Sequence, residues 1–226
     1  MTNAELFNLN ARVQKALNEL PVDTLVEMTA SELHEIWKVS TYIKDDKGNV
    51  VMDENGKPKQ IEKWKKLDPT ESPEEEKYVA AILRDPRFLT LPYIRKEPDG
   101  AISINIAKMN FNQLSPHWQK ENHDAAEVAV EMTLDNYVYL ADPVHREVLI
   151  HAIGSAIHVL WKNRPANAWA KGTEMAERYT NLTPHLQAED YRHIFMAEKS
   201  IEFLAKKLNI DLGKEMNKLN SKKPKH

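Results

Sequence analysis

Phe111-Asn-Gln-Leu114-Ser115-Pro116-His117-x-Gln119-x-Glu121-Asn122 returns later in the chain as Tyr179-Thr-Asn-Leu182-Thr183-Pro184-His185-x-Gln187-x-Glu189-Asp190. Each phrase is an aromatic residue, two polar residues, a leucine, a Ser or Thr, and then proline. This is the chemistry of a helix start: a hydroxyl at the N-cap, then Pro at the first helical position, where its missing N–H costs nothing. A looser version, Trp64-Lys-Lys-Leu67-Asp68-Pro69, runs into Ser72-Pro73-Glu74-Glu75-Glu76-Lys77. The phrase says how helices are launched and anchored, and it predicts that Leu114 and Leu182 are buried. It names no reaction.

Composition narrows the classes. The chain has 226 residues, enough for one or two domains with a real core. It has no cysteine, which excludes disulfides, thiolate metal sites and Cys nucleophiles, and fits a reducing compartment. Residues 1–20 lack the basic start and apolar run of a signal peptide. No apolar stretch approaches the roughly 20 residues of a membrane span. A cytoplasmic location and no membrane association are the resulting expectations. With 31 basic and 34 acidic residues the net charge is −3, which argues against a general nucleic-acid binder. The basic tail 213–226, with Lys214, Lys218, Lys222, Lys223 and Lys225, reads as a disordered, solubilising end. Weak nucleic-acid contact through it is the competing reading.

Helical spacing runs through most of the chain. Leu6, Leu9, Val13, Leu17 and Leu20 share one face before Pro21. Thr29-Ala-Ser-Glu32 has the form of a capping box and predicts a short helix ending near Val39. Segment 41–61 changes character, since Asp45-Asp-Lys-Gly48 and Asp53-Glu-Asn-Gly56 are turn signals between short β-like runs, and predicts a β-hairpin flap. Its acids do not have the alternating oxygens and twelfth-position Glu of an EF-hand. A helix follows from Pro73 to Leu83. Residues 84–110 read as an irregular connector with one strand at Ile102–Ile106. Further helices are expected over 116–134, 143–161 and 184–208. In the second of these, Val144, Val148, Ala152, Ala156 and Leu160 form a stripe beside Leu149, Ile153, Ile157 and Trp161, and predict a helix buried on a wide face. The fold class is therefore mainly α, with two or three related helix-pair units and a small β-hairpin near 41–61. The expected division is 1–83, connector 84–110, 111–212 and tail 213–226.

The candidate chemistry is sparse. Glu147, His151 and His158 share a helix face, but His151 and His158 lie roughly 10 Å apart along the axis, too far for one ion. Glu121, His123, Glu147, His151 and His193 make an alternative metal set only if tertiary structure assembles them across helices. No His-Glu-x-x-His, Gly-x-Ser-x-Gly or Gly-rich phosphate loop is present. Gly154 reads as a close-packing point between helices. Aromatic and basic residues gather at Trp161-Lys-Asn-Arg164 and Trp169-Ala-Lys171, where a Trp and Arg pair could stack a ring or grip a carboxylate.

His158-Val-Leu-Trp161-Lys-Asn-Arg164, then Tyr179-x-x-Leu182 and Gln187-Ala-Glu189-Asp190-Tyr-Arg192, resembles the ryanodine-receptor repeat domain in the order of its phrases, over about 158–204. His34-Glu-Ile-Trp37, with Trp64-x-x-Leu67 and Glu75-Glu76-Lys77, is a fainter likeness over 34–83. The chain departs from the family's pattern where Arg192 lies two residues after Asp190 and where the loop lacks Gly-Trp. The resemblance implies a small helical module for interaction or ligand sensing, with no catalytic residue to carry over.

These readings predict a non-catalytic binding or assembly module, with a ligand groove lined by Trp161, Arg164, Trp169, Tyr179 and Arg192. Its partner, protein or small molecule, is not specified. No cofactor is implied, and self-association stays open. A metal-dependent enzyme using the Glu/His set is the alternative.

Overall fold

The structure, a computed structural model, describes residues 3–212. The expected basic tail 213–226 lies outside the described residues. The fold is mainly α, with a small three-stranded antiparallel sheet. In chain order the elements are α1 (Asn3–Leu17), α2 (Val22–Ser40), β1 (Trp64–Lys66), α3 (Pro73–Arg84), β2 (Ile94–Lys96), β3 (Ile102–Asn105), α4 (Pro116–Leu140), α5 (Pro143–Lys162) and α6 (Pro184–Lys207), joined by loops and short 3-10 turns. Among the described residues no helix is long and apolar enough to cross a membrane.

The chain forms two compact units. One takes the chain before Ala30 and after Asn122; the other is Ala30–Asn122. This division differs from the expected 1–83 and 111–212. Residues 84–110 are part of the second unit because β3, inside that stretch, is the central strand between β1 and β2. Trp64 pairs with Asn105 and Ile94 with Ile104, so removing the presumed connector would remove the sheet.

The first unit buries one apolar cluster. Leu9, Val13 and Leu17 of α1, Val130 and Val138 of α4, Ile153 and Ile157 of α5, and Ile194 and Ile201 of α6 all belong to it. Each such side chain contributes about 1.5–3 kcal/mol relative to exposure. The inward face of α5 is Ile153, Gly154, Ile157 and His158. That corrects the wide buried stripe expected there: Val144 and Val148 are 78% and 72% exposed. Apolar side chains at helical spacing cover more than half of this helix, and α6 with the adjoining turns covers only one side.

One helix start differs from expectation, and one copy of the repeated phrase launches no helix. α2 begins at Val22, directly after Pro21, and places Thr29-Ala-Ser-Glu32 in mid-helix with Thr29 fully buried. Proline supplies the start signal, and the capping-box pattern is incidental. Trp64-Lys-Lys-Leu67-Asp68-Pro69 launches no helix. Trp64–Lys66 is β1, Asp68 accepts from Thr70 N–H in a turn, and the next helix starts at Pro73, where Ser72 Oγ accepts from Glu75 N–H.

The flap is more closed than a hairpin. Val51 N–H donates to Ile43 O, Lys59 N–H to Val51 O, and Ile43 N–H to Lys59 O, so three extended segments bond in a ring. Its turns use one device twice. Asp45 Oδ1 accepts from Lys47 and Asn49 N–H, and Asp53 Oδ1 accepts from Asn55 and Lys57 N–H. Gly48 and Gly56 take φ of +83° and +72°, a region open to glycine at little cost.

Both repeated leucines are buried, Leu114 at 2% and Leu182 at 6% exposure. Leu114→Ala and Leu182→Ala should each lower stability by about 2–5 kcal/mol, measured by urea unfolding. Losses near zero would show that these leucines do not anchor their turns.

Candidate functional site

Each unit places a histidine, one helical turn before a tryptophan, against an aromatic residue that opens a 3-10 turn. In the first unit α5 carries His158 and Trp161, and the turn is Tyr179–Asn181. In the second α2 carries His34 and Trp37, and the turn is Phe111–Gln113. His158 stacks on Trp161 at 6.1 Å and 25°, and meets Tyr179 at 6.2 Å and 54°. His34 stacks on Trp37 at 5.8 Å and 28°, and meets Phe111 at 6.4 Å and 53°. His158 Nε2 lies 3.0 Å from Glu177 O, and His34 Nε2 lies 2.9 Å from Met109 O. In both, the carbonyl belongs to the residue two before the aromatic.

These contacts follow from local chemistry. The His-x-x-Trp spacing puts both rings on one helix face. A backbone carbonyl can only accept, so each Nε2 carries its hydrogen and donates. After each turn the chain re-enters a helix at Pro116 or Pro184. Gln119 Nε2 donates to Leu114 O, and Gln187 Nε2 to Tyr179 O. A carboxylate from elsewhere in the unit then meets each helix start. Glu75 Oε2 accepts from His117 N–H at 3.1 Å, and Glu174 Oε1 from Thr183 N–H at 2.8 Å. Glu75 is only 1% exposed, and its carboxylate lies near the positive N-terminal ends of α3 and α4.

His34-x-x-Trp37 receives the Phe111–Leu114 turn, and Trp64 and Leu67 are held by the sheet, where Leu67 N–H donates to Ile102 O.

The two sites differ at His Nδ1. His158 Nδ1 lies 3.0 Å from Asp190 Oδ2, with side chains 5% and 14% exposed. At the matching place in the second unit's phrase stands Asn122, whose Nδ2 donates to Trp118 O. Burial pushes the Asp190 carboxyl up to about 6, against the pull of the His158 ring. Burial also pushes the Tyr179 hydroxyl up to about 12, helped by the charge of Asp190. Tyr179 Oη shares a 3.0 Å hydrogen bond with His151 Nδ1. In the second unit burial lowers the His34 ring, in keeping with a neutral imidazole that donates once.

Of the expected ligand groove, Trp161 and Tyr179 are brought together around His158. Arg192 pairs with Glu189 at 2.5 Å. Arg164 is half-buried near the end of α5. After burial, the charges of Arg192 and Arg164 together push His193 below its ordinary range, so both cations bear on one imidazole. Trp169 lies on the Pro165–Ala170 turn, and its side chain falls outside the described residues. The alternative metal set is dispersed. His123 pairs with Glu27, His151 with Tyr179, and His193 with Asp190 O, and Glu147 is exposed. Glu121 belongs to the other unit. Among the described residues no three His, Asp or Glu side chains are grouped closely enough to hold a metal ion.

The sequence reading missed the His158–Asp190 pair. Its signal was the acid–amide difference between Asp190 and Asn122 in otherwise matched phrases.

Compared with family models, curated proteins and solved structures, the chain matches none.

Gly154 is the close-packing point expected from sequence. A Cβ there would stand 2.9 Å from Tyr179 Oη and 3.2 Å from Tyr191 Cβ. Gly154→Ala should therefore cost about 1–3 kcal/mol in chemical denaturation, through overpacking. Glu75→Ala should cost about 1.5–3 kcal/mol by the same assay, since it removes a charged acceptor from a buried N–H. A neutral outcome for either would detach that residue from the support of its turn.

Proposed function

We propose that this chain is a non-catalytic binding or assembly module, built from two copies of one small helical unit. In each copy a His-x-x-Trp helix clamps an aromatic-x-x-Leu turn. The observation that carries this reading is the duplicated clamp, in which the buried histidine spends its Nε2 hydrogen on a backbone carbonyl. A ring committed in this way orders a loop and has no free donor there for substrate chemistry. The similarity of the phrases to the ryanodine-receptor repeat domain supports the same reading, since that family is used for interaction or ligand sensing.

The binding surface belongs to the first unit, where Trp161, Arg164, Tyr179 and Arg192 surround the clamp and its following helix. The two cations that bear on His193, in a unit that also carries Trp161 and Tyr179, would suit a ligand with a carboxylate or other anionic group and a flat apolar part. The protein acts in the cytoplasm in this reading.

Native mass spectrometry of the purified full-length chain, with subunit count and metal content read together, tests the proposal. The expected species is metal-free. A thermal-shift panel of aromatic carboxylates should raise its melting temperature, and Arg164→Ala or Arg192→Ala should remove that gain. A stoichiometric metal, or a monomer whose melting no member of the panel changes, would overturn the proposal.

A further inference from the structure

The neutral imidazole ring has one N–H, yet His158 faces two acceptors, Glu177 O at Nε2 and the Asp190 carboxylate at Nδ1. Both contacts stand together only while the pair carries one more proton, on Nδ1 or on the carboxyl. Without it, either a lone pair faces the carboxylate or a lone pair faces the carbonyl. His34 Nε2 faces Met109 O, a contact that the one N–H of a neutral ring satisfies.

We propose that His158 and Asp190 form a proton-dependent latch, joining α5 both to the segment before the Tyr179 turn and to α6. The latch is closed when the pair is protonated and loses one of its two contacts when the proton leaves. Asn122 at the matching position makes the second unit a built-in control without a latch. The proposal concerns the first unit's clamp as geometry and does not depend on the binding reading.

The surroundings place the response in a mild pH range. On α6, Glu189 favours the proton on Asp190 and Arg192 opposes it, after the dominant effect of burial. From the turn, Tyr179 contacts the His158 ring and feels the Asp190 charge. From α5, His151 is held by the Tyr179 hydroxyl. The unfolded chain gives up this carboxyl proton near 3.8, and the folded chain keeps it up to about 6. Between these values the folded state binds more protons, so stability falls as pH rises. The carboxyl's own contribution is full below 3.8 and lost above about 6.

The test uses the full-length chain, with urea unfolding measured from pH 4 to 8 on the wild type and on Asp190→Asn. The expected wild-type profile loses stability on the way to pH 6, and Asp190→Asn removes that slope. Nitrogen-15 NMR of the wild-type histidines over the same range reports the rings even if the variant does not fold. The His158 nitrogen shifts should change with pH as the neighbouring carboxyl loses its proton. A wild-type His158 spectrum constant across the range, or a slope unchanged in Asp190→Asn, would overturn the latch.

Discussion

An imidazole N–H taken out of water must find an acceptor inside the protein, because an unpaired buried donor costs about 1–3 kcal/mol. His34 and His158 are 3% and 4% exposed, and each meets this demand with a carbonyl on the chain just before a 3-10 turn. That one bond determines where the following aromatic, leucine and proline sit. Tyr179 or Phe111 then packs on the ring, Leu182 or Leu114 is buried, and the next helix starts in register. A carboxylate meets the new helix start in each unit, so the polar requirement of the turn is met on both sides.

The same constraint explains why the two clamps tolerate different distances along the chain. In the first unit a short loop with 3-10 turns links α5 to Tyr179. In the second, the flap, α3 and the whole sheet stand between α2 and Phe111. Loop-closure entropy grows slowly with length, so a long insertion costs little if it makes its own contacts. The insertion does so. The flap closes its hydrogen bonds in a ring, and β3 is buried at all four positions.

The two clamps differ at the position of Asn122 and Asp190. An amide at Asn122 turns back to its own helix, and a carboxylate at Asp190 turns to the histidine. Desolvation raises the energy of an isolated charge, so the buried acid and base are matched to each other. This gives the first unit a buried acid–histidine contact inside an otherwise similar frame.

Much of this was legible in the chain before folding. Helix starts at Pro73, Pro116, Pro143 and Pro184 follow from proline's fixed φ and missing N–H, which are local properties. The buried Leu114 and Leu182, and the tight approach at Gly154, also follow from residue type and position. What local chemistry could not decide was which candidate partner each segment meets. Trp64-x-x-Leu67 and Phe111-x-x-Leu114 both fit the His34 helix by pattern, and strand pairing with β3 withdrew the first. The outward valines of α5 have the same periodicity as its inward isoleucines, because a helix wheel records spacing and not which face a neighbour covers. The His158–Asp190 contact joins separate elements, and the burial that raises the carboxyl's hold on its proton comes from packing. The sequence by itself determined the helices, their starts and their anchors. Tertiary structure alone decided the pairing of histidines with turns and the burial that raises the Asp190 carboxyl.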